Sequence, residues 1–329
     1  MFLTVCLNPT IQKTLRFSSI VPGTVNRTAF HRLDVSGKGI NVTRVLTQLG
    51  KKALHLTQLG GVMRPLFLSL CEQDGFTVEW AESESPIRFC YTLLTDGAVT
   101  ELVEESEPVT AETEKLLMEK FNTILEKEDF TNYSEAINSN STLHTPHCLI
   151  ISGTKAAGFS DDVIPSIVQS AKEKGLRIIL DIRGKDLINC LKYDPDIIKP
   201  NLFEFASTFA PQLVKDNDLI LDDNDQGAVK EIIKSAVMDI TQKYKCNVIL
   251  TNGSRKIFAA NKENFFEIDV PAVKAVNSIG CGDAFTAGFA AALEDGWSAV
   301  QPLNFETAIK EGIRCGALNA GLEKPGVIR

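Results

Sequence analysis

Paired cysteines, a surplus of positive charge and long apolar runs are all missing from this chain, and each absence removes a class of protein. Eight cysteines occur, Cys6, Cys71, Cys90, Cys148, Cys190, Cys246, Cys281 and Cys315, and none forms a C-x-x-C pair. They are scattered through apolar contexts, which reads as reduced core thiols rather than a disulfide framework. The four histidines show no metal-ligand spacing, and His144 and His147 merely flank Thr145-Pro146 in a polar loop. Lys and Arg number 34 against 42 Asp and Glu, a net charge of -8, so no basic stripe is available for nucleic acid. An anionic ligand would have to be held by a few placed cations. No apolar run approaches the length that crosses a bilayer, and Met1 leads straight into a strand with no leader-like segment. These features predict a cytoplasmic protein that binds neither nucleic acid nor membrane. Two common phosphate motifs are absent as well. The dinucleotide fingerprint would need a glycine where Phe285 stands, and the P-loop pattern fails at Gly37-Lys38 because Arg32 holds its first glycine position and no Ser or Thr follows.

What is present is an ordinary globular composition over 329 residues, 44% hydrophobic and 23% charged, enough for one large α/β domain with at most a small appendage. The opening strand runs Phe2 to Leu7, and Pro9 stops it. Ile11 to Phe17 and Thr28 to Val35 alternate apolar and polar residues, a period of two that predicts strands with one solvated face. Ile87 to Thr95 and Val99 to Glu105 read as a hairpin across Asp96-Gly97. Arg88 and Glu101 lie on these strands, where a simple cross-strand pair is the plainer explanation. Helices are predicted over Met63 to Gln73, Glu112 to Lys127, Asp161 to Lys174, Gln226 to Lys243 and Phe305 to Ala320. Short apolar strands alternate with the later helices at Cys148 to Ser152, Arg177 to Leu180, Ile197-Ile198 and Val248 to Leu250. That alternation predicts βαβ units and a parallel sheet covered on both faces. Ligands in such sheets collect at the carboxyl ends of the strands, where Gly153, Asp181, Asn201 and Thr251 would fall. Asp129 to His147, rich in Asn, Ser and Thr, reads as a polar surface insert.

The chemistry centres on Asn277-Ser278-Ile279-Gly280-Cys281-Gly282-Asp283, a glycine-rich turn feeding a helix of small residues suited to close packing on a sheet. Gly280 and Gly282 allow backbone to approach a ligand, and the first-turn N–H groups with the helix dipole form an anion site. A carboxylate at such a site is explained either as an Asp N-cap or as a base that takes the proton of an attacking hydroxyl while the N–H groups hold a migrating phosphoryl group. Ser36 to Leu46 repeats the device: a glycine-rich turn opens a helix and puts Lys38 and Asn41 on its first turn. Alone, these two are better explained by a solvent-facing lysine and a capping amide.

Taken jointly, the motifs are specific. Leu7-Asn8-Pro9, Ser36-Gly37-Lys38-Gly39-Ile40-Asn41-Val42, Lys199-Pro200-Asn201-x-x-Glu204 and Asn277 to Asp283 occur in the order found in the ribokinase-like sugar kinases of the phosphofructokinase B type. The chain resembles that family over nearly its whole length, and within it is most similar to the 1-phosphofructokinase and tagatose-6-phosphate kinase subgroup. The resemblance implies a three-layer α/β/α domain spanning 1–329, with a mostly parallel central sheet. It also implies a small β-sheet lid inserted at about 11–35 and 87–105, through which a homodimer could form. It implies ATP and Mg²⁺ as cofactors and a sugar phosphate as acceptor. Asp283 would be the catalytic base, with Gly280, Cys281 and Gly282 donating to the transferring phosphoryl group. Asn8, Gln12, Gly37, Lys38, Asn41, Arg88 and Glu101 would line the sugar side. Asn201 and Glu204 would organise Mg²⁺ through water, and Thr251, Gly253 and Asn319 would border the nucleotide. Several positions depart from the subgroup: Gln12 stands where Asp is usual, Ser36 replaces a glycine, and Cys90 stands where Asn is usual. The favoured reading rests on Lys38 and Arg88 with Asp283 and is phosphorylation of fructose 1-phosphate at its 6-hydroxyl; the departures motivate other acceptors. Tagatose 6-phosphate, an unphosphorylated sugar or a nucleoside are alternative acceptors. A non-catalytic sensor of nucleotide or sugar phosphate is the alternative of another class.

Overall fold

The structure is a computed structural model and describes residues 1–126, 146–216, 218–219, 226–297 and 305–329. The polar insert expected at 129–147 lies outside the described residues except for Pro146 and His147. In chain order the elements are β1 (Phe2–Val5), β2 (Thr10–Arg16), β3 (His31–Ser36), α1 (Lys38–Gln48), β4 (Ala53–Gly60), α2 (Arg64–Gln73), β5 (Thr77–Ser83), β6 (Arg88–Thr95), β7 (Ala98–Val103) and α3 (Ala111–Glu126). They continue with β8 (Cys148–Ser152), α4 (Val163–Glu173), β9 (Arg177–Asp181), α5 (Gly184–Cys190), β10 (Ile197–Ile198), α6 (Leu202–Phe209), β11 (Val214–Lys215) and β12 (Asp218–Leu219). The last are α7 (Gln226–Tyr244), β13 (Asn247–Leu250), β14 (Ile257–Ala260), β15 (Phe265–Ile268), α8 (Cys281–Trp297) and α9 (Phe305–Ala320).

A nine-stranded sheet has the order β15-β14-β13-β10-β9-β8-β1-β4-β5, a separate four-stranded sheet the order β3-β2-β6-β7, and β11 pairs with β12. The fold is α/β with a large, mostly parallel sheet. Pairing is parallel between β13 and β10, β10 and β9, and β4 and β5, and turns antiparallel at β14 and β15. Every residue of β8, Cys-Leu-Ile-Ile-Ser, is buried, as expected of a strand covered on both faces.

The chain divides into two compact units. The first comprises Met1–Leu3, Glu114–Ile151 and Ser160–Asp269. Its strands β8, β9 and β10 are apolar and buried, and α4 buries Val163, Ile164, Ile167 and Val168 on one face. The second comprises Thr4–Thr113, Ser152–Phe159 and Val270–Arg329. It holds α1, α8, α9 and the four-stranded sheet, in which β2 pairs parallel with β6 and antiparallel with β3. Ile11, Val35, Ile40, Phe67 and Ile87 form one buried apolar cluster under that small sheet. Its edge strand β7 is exposed along its length and shows Val99, Leu102 and Val103 to solvent.

Besides the two-residue strands β11 and β12, the elements β5, α5 and α6 escaped the sequence reading. β5 carries Glu79, Trp80 and Glu82, so its apolar count is too low for a buried strand; it sits at the edge of the large sheet, where half-exposed residues are tolerated. α5 and α6 are short, and their apolar stripes are correspondingly brief. The small residues of α8 serve a different neighbour from the one expected. A Cβ on Gly288 would lie 2.6 Å from Cys315 Sγ, and one on Gly312 would lie 2.9 Å from the Phe285 ring. Small side chains thus bring α8 and α9 close together.

Candidate active site

In the second unit, two helix starts meet. Gly37 precedes α1 with φ 117, a conformation that penalises a side chain, and a Cβ there would come 3.1 Å from Cys6 Sγ. No side chain caps this helix, and no acid occupies its first turn. Its opening N–H groups are left to other partners, an arrangement that favours an anion. The Lys38 stem passes over Gly153, whose Cβ would lie 3.5 Å from Lys38 Cβ. Asn41 follows on the same turn, with its N–H bonded to Gly37 O at 3.0 Å and its side chain almost fully buried.

The second start is the turn before α8. Gly280 has φ 83, and the helical ladder opens with Ala284 N–H donating to Gly280 O at 2.8 Å. Asn277 shapes the turn: its Oδ1 accepts from Ile279 N–H at 3.0 Å and its Nδ2 donates to Glu323 O at 2.9 Å. Cys281 N–H leans towards Ser278 O at 3.4 Å. Asp283 sits in the first turn, 6% exposed, and its Oδ2 accepts from Asn41 Nδ2 at 2.8 Å. This bond joins residues 242 positions apart. It places the carboxylate against the first turn of α1 rather than in an N-cap role. Two thiols adjoin the carboxylate. Burial and the Asp283 charge push Cys281 up to about 11, and burial likewise raises Cys6. Both are therefore neutral at physiological pH and poor nucleophiles.

The other substrate-side candidates have contacts of their own. Asn8 is buried with Oδ1 lacking a protein partner. Gln12 is 2% exposed and its Nε2 donates to Thr92 Oγ1 inside the small sheet. Arg88 donates from Nη1 to Glu104 O at 3.0 Å, while its buried Nε has no protein partner. Glu101 stands opposite Thr92 in the β6–β7 register, not opposite Arg88, so no direct cross-strand pair forms. Burial raises the Glu101 carboxyl and the Arg88 charge offsets part of that rise. Asn319 lies behind the anion turn: a Cβ on Gly280 would be 3.0 Å from Asn319 Oδ1.

The nucleotide-side candidates of the first unit form a cluster of their own. Asn201 caps α6 in a capping box with Glu204. Asn201 Oδ1 accepts from Glu204 N–H at 2.7 Å, and Glu204 Oε2 accepts from Asn201 N–H at 2.9 Å. Asn201 also bridges Thr251, and Leu202 N–H donates to Thr251 O at 2.8 Å. Gly253 follows with φ 58. Just before the cap, Lys199 Nζ and Asp181 Oδ2 form an almost fully buried ion pair at 3.2 Å. Among the described residues no cluster of three or more His, Cys, Asp or Glu could chelate a metal unaided. A single carboxylate beside a phosphate-bearing ligand is nevertheless the donor set that suits Mg²⁺, which keeps several waters.

Sequence reasoning missed Arg44. It is 2% exposed, and its Nη1 donates to Asn41 Oδ1 at 2.8 Å. The available signal was an arginine three residues after Asn41 on an otherwise apolar helix face.

A glycine-rich anion turn with an acid in the first helical turn, on an α/β sheet with a small second sheet, defines a phosphotransferase that acts on alcohols. The comparisons agree with that class. The chain belongs to the pfkB family of carbohydrate kinases, which it matches over residues 5–327. It is 26% identical over 330 aligned positions to the tagatose-6-phosphate kinase of Staphylococcus epidermidis, covering 100% of this chain and 94% of that protein. Phosphofructokinase-2 from Escherichia coli, solved with potassium, superposes with a TM-score of 0.79 at 19% identity, covering 98% of this chain and 93% of that one. A possible 1-phosphofructokinase from Thermotoga maritima gives 0.75 at 17% identity, covering 98% and 92%. At those identities the superpositions speak to the fold.

Proposed function

We propose that this carbohydrate kinase transfers the γ-phosphoryl group of ATP to a primary hydroxyl of a ketohexose phosphate, with fructose 1-phosphate as the principal acceptor. The observation that carries the reading is the 2.8 Å bond between Asn41 Nδ2 and Asp283 Oδ2, which brings a carboxylate in an anion-binding turn to the helix start bearing Lys38. In this reading Asp283 accepts the proton of the sugar hydroxyl. The hydroxyl oxygen bonds to the γ-phosphorus, and the bond from that phosphorus to the bridging oxygen of ADP breaks. The N–H groups of Gly280, Cys281 and Gly282 receive the charge that gathers on the migrating group. Lys38 and the fork donor Arg88 hold the phosphate already on the sugar. Asn8, Gln12, Gly37, Asn41 and Glu101 shape the sugar side. Asn201, Glu204, Thr251, Gly253 and Asn319 serve the nucleotide. Mg²⁺ held by Glu204 and Asn201 through water would neutralise phosphate charge.

The small sheet acts as a lid in this account, and its exposed Val99, Leu102 and Val103 suit pairing with a second copy. No helix among the described residues is long and apolar enough to cross a membrane. We place the enzyme in the cytoplasm on other grounds, because its eight scattered cysteines suit a reducing compartment. A second acceptor, tagatose 6-phosphate, is favoured by the full-length similarity to a tagatose-6-phosphate kinase.

The test is ADP release by purified protein with Mg-ATP and fructose 1-phosphate, tagatose 6-phosphate, fructose 6-phosphate or fructose. The expected result is turnover with fructose 1-phosphate, reduced about 10³-fold in kcat by Asp283→Asn. A higher kcat/KM with tagatose 6-phosphate selects the second acceptor. ADP release no greater than that of Asp283→Asn on every sugar would end the kinase reading.

A further inference from the structure

The pair at the centre of the site is itself held by a buried cation. Arg44 lies one helical turn beyond Asn41 on α1 and uses its fork in four directions. Nη1 donates to Asn41 Oδ1 at 2.8 Å and to Pro325 O at 3.0 Å, Nη2 to Val35 O at 2.6 Å, and Nε to Asp74 Oδ2 at 2.7 Å. Each contact fixes a different segment: the helix start, the carboxy-terminal stretch, the end of β3 and the end of α2. Asp74 is in turn bound by Lys324 Nζ, which also reaches Asp34 at 3.3 Å.

The consequence for the site follows from donor and acceptor chemistry. Arginine carries five N–H donors and no acceptor. The Asn41 atom facing Nη1 must therefore be the amide oxygen, which leaves the NH₂ group aimed at Asp283 Oδ2. With the amide turned over, its NH₂ would face a guanidinium and its oxygen would face a carboxylate, and both contacts would be repulsive. Asparagine alone has no such preference, since its two ends have nearly the same shape. The carboxy-terminal stretch reinforces the arrangement. A Cβ on Gly326 would lie 2.8 Å from Asn41 Cα, and one on Gly280 would lie 2.8 Å from Gly326 N. Gly326 is thus wedged between the two halves of the site, and Arg44 holds the wedge through Pro325 O.

We propose that Arg44 is a positioning residue for phosphoryl transfer: it locks the Asn41 amide so that this amide holds Asp283 in place, and it does so without touching substrate. The inference rests on the kinase reading above. Its charged surroundings are Asp74 on the far side and Lys324 and Asp34 beyond it. On the near side Asn41 links it to Asp283, and the buried imidazole of His55 and the buried thiol of Cys71 feel its charge.

The test compares Arg44→Lys, Asn41→Ala and the double variant. Arg44→Lys keeps the charge but loses the fork. The expected result is a kcat 10- to 100-fold lower with KM for Mg-ATP within about twofold of the parent, because the nucleotide-side candidates do not touch Arg44. On the Asn41→Ala background the same substitution is expected to lower kcat less than threefold, since the residue through which Arg44 acts is gone. An arginine that only stabilises the fold would lower the melting temperature and leave kcat of the folded enzyme unchanged, or would act equally on both backgrounds; either result overturns the proposal. If Arg44→Lys does not fold, Asp74→Asn takes its place. It keeps an acceptor for Nε but removes the anchoring charge, and is expected to lower kcat about 3- to 10-fold, again only when Asn41 is present; an equal loss on Asn41→Ala overturns the proposal. Should the parent enzyme turn over no sugar at all, the kinase reading fails by itself. The Asn41 side-chain NH₂ signals in an ¹⁵N spectrum then decide. One amide proton protected from exchange in the parent and unprotected in Arg44→Lys supports the lock, and unchanged protection overturns it.

Discussion

At the scale of single residues, backbone conformation and close packing separate two glycines that look alike in the sequence. Gly253 and Gly280 both have positive φ, 58 and 83, and both follow a polar turn. A Cβ on Gly253 would meet nothing within 4 Å, whereas one on Gly280 would lie 2.8 Å from the Gly326 nitrogen. Gly253→Ala is therefore expected to cost only the left-handed penalty of an L-residue, about 1–2 kcal/mol. Gly280→Ala adds a clash with backbone that cannot rotate away, and is expected to cost more than 2 kcal/mol. Urea midpoints of the two variants check the order. The kinase reading adds an asymmetry: Gly280→Ala should also abolish most turnover, because the turn that carries the phosphoryl donors must shift. Equal stability loss in both variants would mean that the Gly326 contact is not the constraint described.

At the scale of elements, the glycine-rich turn before α8 was legible because its signals stand in consecutive residues. Asn277 to Asp283 shows glycines, an acid and a helix start within one short stretch. The period-two segments that form β2, β3, β6 and β7 were legible for the same reason, since alternation is a local signal. What could not be read locally was contact between distant segments. The Asn41–Asp283 bond and the Arg44 fork depend on α1 lying beside α8, and neither helix announces the other. β5, α5 and α6 were missed because their patterns are short or half exposed. α6 illustrates the difficulty, since Asn201-x-x-Glu204, proposed above for the nucleotide side, forms a capping box. Its two roles can be separated. Asn201→Ala should cost about 1 kcal/mol of stability through loss of the cap. Asn201→Ser should restore most of that, because a serine hydroxyl caps nearly as well. If Asn201 also orders the nucleotide, KM for Mg-ATP rises in both variants; if the residue is only a cap, KM stays near the parent value in both.

At the scale of the whole molecule, fold class and composition agreed because both follow from averages, whereas the response to pH depends on one buried imidazole. His55 on β4 is fully buried, and its Nδ1 is 2.8 Å from Thr4 Oγ1. Thr43 Oγ1 donates to Gly39 O at 2.7 Å, and Thr4 Oγ1 lies 2.6 Å from Thr43 Oγ1 and 3.3 Å from Leu54 O, so two hydroxyls and the ring share one buried cluster. The ring's Nε2 is buried without a protein partner. Burial first, and the charge of Arg44 second, lower its pKa from 6.5 to about 3. Between about 3 and 6.5 the unfolded chain binds a proton at this position that the folded chain does not. Stability therefore rises with pH through that window and is lost as pH falls below 6.5, with a limiting slope of about 1.4 kcal/mol per pH unit. Asp34, held low by Arg32 and Lys324 against the cost of burial, acts in the same direction but only below its unfolded value of 3.8. Glu101, raised by burial, has the opposite sign: its contribution is present below 4.5 and lost as pH rises through its folded value. Asp34 acts below the interval from pH 5 to 7 and Glu101 acts with the opposite sign, so a loss of stability between pH 7 and pH 5 belongs to the imidazole among these three groups. Urea unfolding at pH 7 and pH 5 is expected to differ by about 2 kcal/mol in the parent. His55→Gln, which can still hydrogen-bond Thr4 but cannot titrate, is expected to remove most of that difference while lowering stability at pH 7. A parent and variant with the same pH dependence would show that the imidazole is hydrated or mobile, and that α1, which carries Lys38, Asn41 and Arg44, packs less tightly on β4 than the Thr4–Thr43–His55 bonds require.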